Sequence, residues 1–263
     1  MLYLLGERGW SHADKAQLLV FMEGVIHLTE DASSREYEEW ENTLEEAREA
    51  GRIYVSIMER KGIEKTDGIA LQTIKLVFKY LEKSVKTADP EAREKMHNAS
   101  TMAGMAFANA FLGMSHSMAH KIGGVHHTIH GRTNAILLPY VIRYNGTRPS
   151  KTTTWPKYNY WKADEKFQDI ARMLGLPCST PEEAVEAYAK AVYDLGVAVG
   201  IKMNFKDQGI DEKVWNDSLH EIALLAYEDQ CSPANPRLPM VADMEEIMAD
   251  AYYGYGERPG RRK

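Results

Sequence analysis

The sequence predicts an all-α, multi-helix fold for most of its 263 residues. Apolar residues recur three and four apart through long stretches between Thr66 and Tyr253, the period of one buried helical face. Helix start and stop signals punctuate those stretches, among them Asp89-Pro90, Thr180-Pro181-Glu182-Glu183 and Gly175. No alternation of strand and helix patterns accompanies them, which argues against a parallel α/β sheet. With 44% hydrophobic residues there is ample material for a core. The net charge is −6 and the pI about 5.9, with acids and bases interspersed, which argues against a nucleic-acid or anionic-membrane surface. No apolar run approaches the ~18–20 residues of a membrane helix. The opening Met1 to Trp10 carries an acid early and no long apolar core, so no secretory leader is expected. Cys178 and Cys231 stand far apart without a paired spacing, which reads as free thiols in a reducing cytoplasm.

The elements follow in order. Ala13 to Leu28 carries an apolar stripe, and Arg35 to Ala50 is an acidic helix with Tyr37, Trp40 and Leu44 at helical spacing, ended by Gly51. Ile53, Val55 and Ile57 alternate briefly and leave 52–60 open between helix and strand. From Thr66 the composition changes. Thr66 or Asp67 can cap a helix whose buried stripe is Ala70, Ile74, Val77, Phe78, Leu81 and Val85. Asp89-Pro90 opens a second helix running toward Ala106, and Met102 to Leu112, rich in Ala, Met and Phe with Gly104 and Gly113, suggests a closely packed helix. Next comes a short helix bearing His116 and His120, broken at Gly123-Gly124, and then an apolar helix from Asn134 to Tyr144. Residues 146–160 read as a loop with Pro149 and Pro156, whose aromatic and lysine residues suit packing against a neighbour. Helices are then expected over Ala163–Met173, over Pro181 to Leu195 or Val199 with a Thr180/Glu183 capping box, over Asp211–Glu228, and over Met244–Tyr253. The basic tail from residue 255 is expected to fray. The chain thus divides into an acidic helical unit (1–63), a helical domain (64–254) and a tail (255–263).

Histidine is the chemically telling residue. Five of the nine histidines fall between His116 and His130, among small apolar residues. Imidazoles in such a setting need partners, and a metal ion is one that neutral imidazole serves well. His116 and His120 lie four apart on one helical face, and the turn that follows can bring His130 to the same point. The alternative is a set of core histidines bonded to backbone; for a cluster this dense a metal or catalytic site is the better reading. Spacing alone would pair His116 with His120.

The pattern His116-Ser-Met-Ala-His120, Gly123, His130-Gly131 and Asn134-Ala-Ile-Leu-Leu-Pro139 resembles the signature of the iron-containing (group III) alcohol dehydrogenases, nearest the alcohol dehydrogenase half of the bifunctional aldehyde–alcohol dehydrogenases. The stretches Thr66–Gln72, Ala92–Gly113, Asp229–Pro239 and Ala251–Gly254 extend the resemblance over about 66–254. It implies the helical C-terminal domain of that family. It further implies Fe(2+), or Zn(2+), held by His116 and His130, with His120 as a catalytic residue beside nicotinamide and substrate rather than a ligand. The activity implied is reversible hydride transfer between a small alcohol or aldehyde and NAD. Two further ligands of the family, an Asp and a His in an Asp-Ala-Leu-Thr-His helix, and its Gly-Gly-Gly-Ser nucleotide loop have no counterpart in this sequence, so no residue here is assigned to cofactor binding. Glu23 and His27, four apart on a predicted helix, offer a surrogate pair of metal ligands. Residues 1–63 are loosely similar instead to the non-catalytic tail of transposase-like PD-(D/E)xK proteins, through Glu7-Arg-Gly-Trp10 and Tyr54-Val55. The expectation is a domain inactive by itself, the alternative a non-enzymatic helical module that self-associates.

Overall fold

The computed structural model describes residues 64–149, 161–256 and 258. Among these it contains eight α-helices, one 3-10 turn and no strand. The helices are α1 (Glu64–Lys86), α2 (Pro90–Ala110), α3 (Met114–His126), α4 (His130–Gly146), α5 (Ala163–Leu174), α6 (Pro181–Ala198), α7 (Glu212–Tyr227) and α8 (Val241–Tyr253). The 3-10 turn, Ser232–Ala234, interrupts the segment between α7 and α8.

Side-chain chemistry sets most of the helix ends. Asp89 accepts the Ala92 amide at 2.9 Å and Pro90 takes the first helical position of α2, where no amide donor is needed. Asp211 accepts the amides of Lys213 and Val214 at the start of α7. Gly175 closes α5 in the left-handed conformation at φ 71°, with its amide and that of Leu176 returned to the last turn. Thr180 accepts the Glu183 amide at 3.2 Å, but the Glu183 carboxylate reaches past the cap to the Ser179 amide at 2.7 Å, so the expected reciprocal box is displaced by one residue.

Helix α4 is buried on two sides. Ile136, Leu137 and Tyr140 face a core built from Met114, Met118 and Ile122 of α3, Trp215 and Ile222 of α7, and Met244, Met248 and Tyr252 of α8. Ile142 faces a second cluster with Val185, Tyr188 and Ala189 of α6, joined by Ile74 and Phe78 of α1 and Phe167 of α5. Trp215 anchors the first core by stacking on Phe205 and Tyr252, with ring centres 4.8 and 5.3 Å away. Where α4 meets α6 the backbones come close: a Cβ on Gly146 would stand 2.5 Å from a Val185 methyl. Arg143 clamps the same contact with a bidentate pair to Glu186, its guanidinium 3.7 Å above the Tyr255 ring.

Several expectations are corrected. Gly123 and Gly124 do not break a helix; α3 runs through both to His126 and stops where His127 turns left-handed at φ 54°. At Gly123 the role is close approach, since a Cβ there would lie 3.3 Å from the Thr128 carbonyl of the returning chain, whereas a Cβ on Gly124 would meet nothing within 4 Å. Helix α4 begins at His130, four residues before Asn134. Helix α1 begins at Glu64, so Thr66 lies inside it and is buried. The α1 stripe is only half-buried, and Val85 is exposed. The small-residue end of α2 is not closely packed either: Ala106 is buried, but Met105, Phe107 and Phe111 are exposed. Tyr255, assigned to the tail, packs its ring on Tyr193 at 5.0 Å. Glu23, His27 and the aromatic stretch 155–160 lie outside the described residues.

The α4–α6 contact predicts a rescue. Gly146→Ala is expected to lower stability by about 1–3 kcal/mol through overpacking. Adding Val185→Ala should recover part of that loss, because it removes the methyls in the way. Thermal denaturation of both variants checks this; equal additive losses would contradict the close approach.

Candidate functional site

Helix α3 presents one polar group per turn to the segment between α7 and α8. Its first amide, at Met114, donates to Asn235 Oδ1 at 3.2 Å. One turn on, Ser117 Oγ accepts from Ser232 Oγ at 3.0 Å. Further along, Lys121 Nζ lies 2.9 Å and His120 Nδ1 3.2 Å from Asp229 Oδ2. Positions 114, 117 and 121 fall on one helical face. Asn235 also pairs with Asn145 of α4, donating to its Oδ1 at 2.7 Å, and donates to the Arg237 carbonyl at 2.6 Å. Gly113 admits this contact: a Cβ there would stand 2.7 Å from Asn235 Oδ1. A polar seam, buried at Met114 and Ser117, therefore runs along α3 from Met114 to Lys121.

The seam ends at the histidines. The rings of His116, His120 and His130 form a triangle, with centres 5.3 Å apart for His116–His130, 5.4 Å for His120–His130 and 6.2 Å for His116–His120. Successive turns of α3 supply two of them, and the first residue of α4 supplies the third. The other two histidines of the cluster point to structural roles or none: His126 stacks on Trp215 and bonds Ser218 Oγ at 3.0 Å, while His127 forms the exposed turn. His97 is exposed on α2.

The electrostatics favour neutral imidazole at the inner edge. Burial lowers the His116 pKa, and the neighbouring His130 and His120 rings lower it further, against a small opposing pull from Asp229. For Asp229, burial works to raise the pKa, but bonds from the Cys231 amide, Lys121 and His120 overcome it and hold the carboxyl at about 2. Cys231 is pushed up to about 11 by burial and by the Asp229 anion beside it. His130 is exposed, and its Nε2 accepts from Asn134 Nδ2 at 3.2 Å, while Asn134 Oδ1 accepts from Ser115 Oγ at 3.0 Å.

Two groupings could be considered for a cation. The donor atoms of His120, Asp229 and Cys231 lie within 4.8 Å of one another. Within that set the carboxylate is already neutralised by Lys121 and holds the Cys231 amide. The histidine rings form the other grouping. Two imidazoles on one tetrahedral ion, with metal–nitrogen bonds of about 2.0–2.1 Å, place their ring centres about 5 Å apart, a spacing approached by His116–His130 at 5.3 Å and by His120–His130 at 5.4 Å. Binding through His130 Nε2 would require Asn134 to release it. A separate cleft of about 230 Å³, lined by Tyr140, Arg143, Arg237, Asp243 and Asp250 among others, contains none of the histidines.

The structure therefore brings His116, His120 and His130 together, as the sequence expected. Sequence reasoning missed Lys121, Asp229, Ser232 and Asn235. The available signal was the run Asp229-Gln-Cys-Ser-Pro-Ala-Asn-Pro236, an unusual concentration of small polar residues between two apolar helices.

Residues 53–252 match the model of the Fe-containing alcohol dehydrogenase family, C-terminal. The chain is 75% identical over 214 residues to an aldehyde-alcohol dehydrogenase of Streptococcus pneumoniae, covering 81% of this chain and 24% of that protein. It is 38% identical over 216 residues to the bifunctional aldehyde-alcohol dehydrogenase of Escherichia coli, covering 80% and 24%. Among solved structures, the alcohol dehydrogenase from Oenococcus oeni superposes with a TM-score of 0.61 at 32% identity, covering 71% of this chain and 45% of that one. A 1,3-propanediol oxidoreductase gives the same TM-score of 0.61 at 34% identity and the same coverage of 71% and 45%. The chain thus spans about a quarter of the length of these curated relatives.

Asp229 makes the stability of the seam depend on pH. Its folded pKa of about 2 lies below the ordinary 3.8, so its contribution is complete above about pH 4 and is lost as pH falls through 2. Asp229→Asn is expected to cost about 2 kcal/mol at pH 7. The gap between variant and wild type should close between about pH 4 and pH 2 in denaturant titrations; a gap independent of pH would contradict the ion pairing.

Proposed function

Since the chain belongs to the iron-containing alcohol dehydrogenase family, through its C-terminal helical domain, we propose that it carries part of a metal centre for NAD-linked interconversion of a small alcohol and its aldehyde. The observation that carries this reading is the convergence of three imidazoles from the first two turns of α3 and the start of α4. His116 and His130 would hold the metal, iron or zinc. When bound, the metal supplies Lewis acidity toward an alcohol oxygen. His116, kept neutral by burial, offers a lone pair rather than a charge. His120 stands on the same side and would orient the substrate hydroxyl or take its proton, with Asp229 compensating the charge that results.

The same reading makes the 263-residue chain catalytically silent by itself. The family's Asp-x-x-x-His ligand pair and Gly-Gly-Gly-Ser nucleotide loop do not occur in this sequence. With two protein ligands where a catalytic metal takes three or more, affinity should fall by orders of magnitude.

Titration calorimetry with Zn(II) or Co(II) is expected to show weak binding that disappears in His116→Ala, and no NAD reduction with ethanol after loading with Fe(II) or Zn(II). Turnover abolished by His116→Ala would overturn the silent reading. Binding that ignores His116 and His130 would overturn the metal assignment.

A further inference from the structure

The environment of His120 fixes more than its position. Its Nδ1 lies 3.2 Å from Asp229 Oδ2. The Asp229 side chain is 7% exposed and also receives Lys121 Nζ at 2.9 Å and the Cys231 amide at 3.0 Å. Two donors that do not depend on His120, the Lys121 ammonium and the Cys231 amide, converge on this carboxyl group, so it stays ionised, and an ionised carboxylate only accepts hydrogen bonds. The nitrogen that faces it must then carry a proton. In neutral imidazole the proton is on one nitrogen only, so the other, Nε2, keeps its lone pair. The ring that holds it is centred 5.4 Å from His130 and 6.2 Å from His116.

We propose that Asp229 is a positioning residue that locks His120 as the Nδ1–H tautomer, leaving Nε2 as the proton-accepting nitrogen of the three-histidine cluster. Lys121 sits next to His120 in the chain and bonds the same Oδ2, while the Cys231 amide donates to Oδ1, so Asp229 has little freedom to rotate away. Ser232 and Asn235, bonded to Ser117 and to the Met114 amide, keep the segment carrying Asp229 in register with α3. The proposal rests on the reading of the histidine cluster as an alcohol-handling site for its functional meaning, but not for its geometry.

The test is nitrogen-15 NMR of the histidine side chains in the full, metal-free chain at about pH 8.5, above the ordinary imidazole range. Two-bond proton–nitrogen correlations distinguish the tautomers, and His120→Gln assigns the signal. A hydrogen bond to a charged acceptor should favour Nδ1–H over Nε2–H by about tenfold or more. In Asp229→Asn the ratio should fall several-fold. In Lys121→Gln, where the carboxylate remains, it should stay strongly toward Nδ1–H. Should Asp229→Asn fail to fold, the wild-type spectrum and Lys121→Gln decide by themselves. A wild-type His120 mainly in the Nε2–H form, an even mixture, or a bias that survives Asp229→Asn or vanishes in Lys121→Gln would overturn the proposal. Because no metal is added, failure to bind zinc or cobalt would count against the metal reading alone and leave this result standing.

Discussion

Helix α3 carries two site histidines, and what holds it in place is a line of buried hydrogen bonds rather than apolar contact alone. A buried amide, carboxylate or carboxamide left without a partner costs on the order of 1–3 kcal/mol. Asn235, 1% exposed, offers its carboxamide to the Met114 amide, Asn145 and the Arg237 carbonyl, and each of those groups has its partner in return. Ser232 and Asp229 repeat the arrangement one and two turns further along α3. A shift of α3 by one residue would orphan all of these groups together. The register of the helix, and with it the direction of His116 and His120, is set by this requirement.

The apolar contacts do a different job. Met114, Met118 and Ile122 bury α3 in a core shared with α4, α7 and α8, but methionine contacts tolerate small displacements. They supply attraction without direction, and the seam supplies direction. Helix α4 transmits the result: its first residue is His130, and its far end is pinned to α6 by Gly146, Val185 and the Arg143–Glu186 pair. The third imidazole is therefore held by a helix fixed at the opposite end.

Much of this was legible in the sequence, for physical reasons that differ by element. Helices with chemical caps could be read closely: Asp89 with Pro90, Thr180 with Pro181, Asp211 and Gly175 each act through their own backbone neighbours. The histidine triangle was legible because i, i+4 spacing places His116 and His120 on one face; choosing His130 as the second metal ligand over His120 came from the family motif. Gly123-Gly124 misled, because glycine serves a close approach as readily as a break, and only the returning Thr128 carbonyl distinguishes the two. The seam was illegible, because Asp229 and His120 are separated by 109 positions and nothing local to either names the other. The half-burial of α1 and the exposed end of α2 escaped for a related reason: periodicity says which face is apolar, not what covers it.

The central claim is that the carboxamide of Asn235 sets the register of α3. Hydrogen exchange in Asn235→Leu, which keeps the branched side-chain skeleton but not the carboxamide, tests it most directly. The account predicts that the amides of Met114, His116 and Ser117 lose protection by about tenfold or more while α5 and α6 keep theirs, as loss of a buried bond worth about 1–3 kcal/mol requires. Unchanged protection at the start of α3 in a folded variant would show that apolar packing alone holds the helix, and would contradict the account.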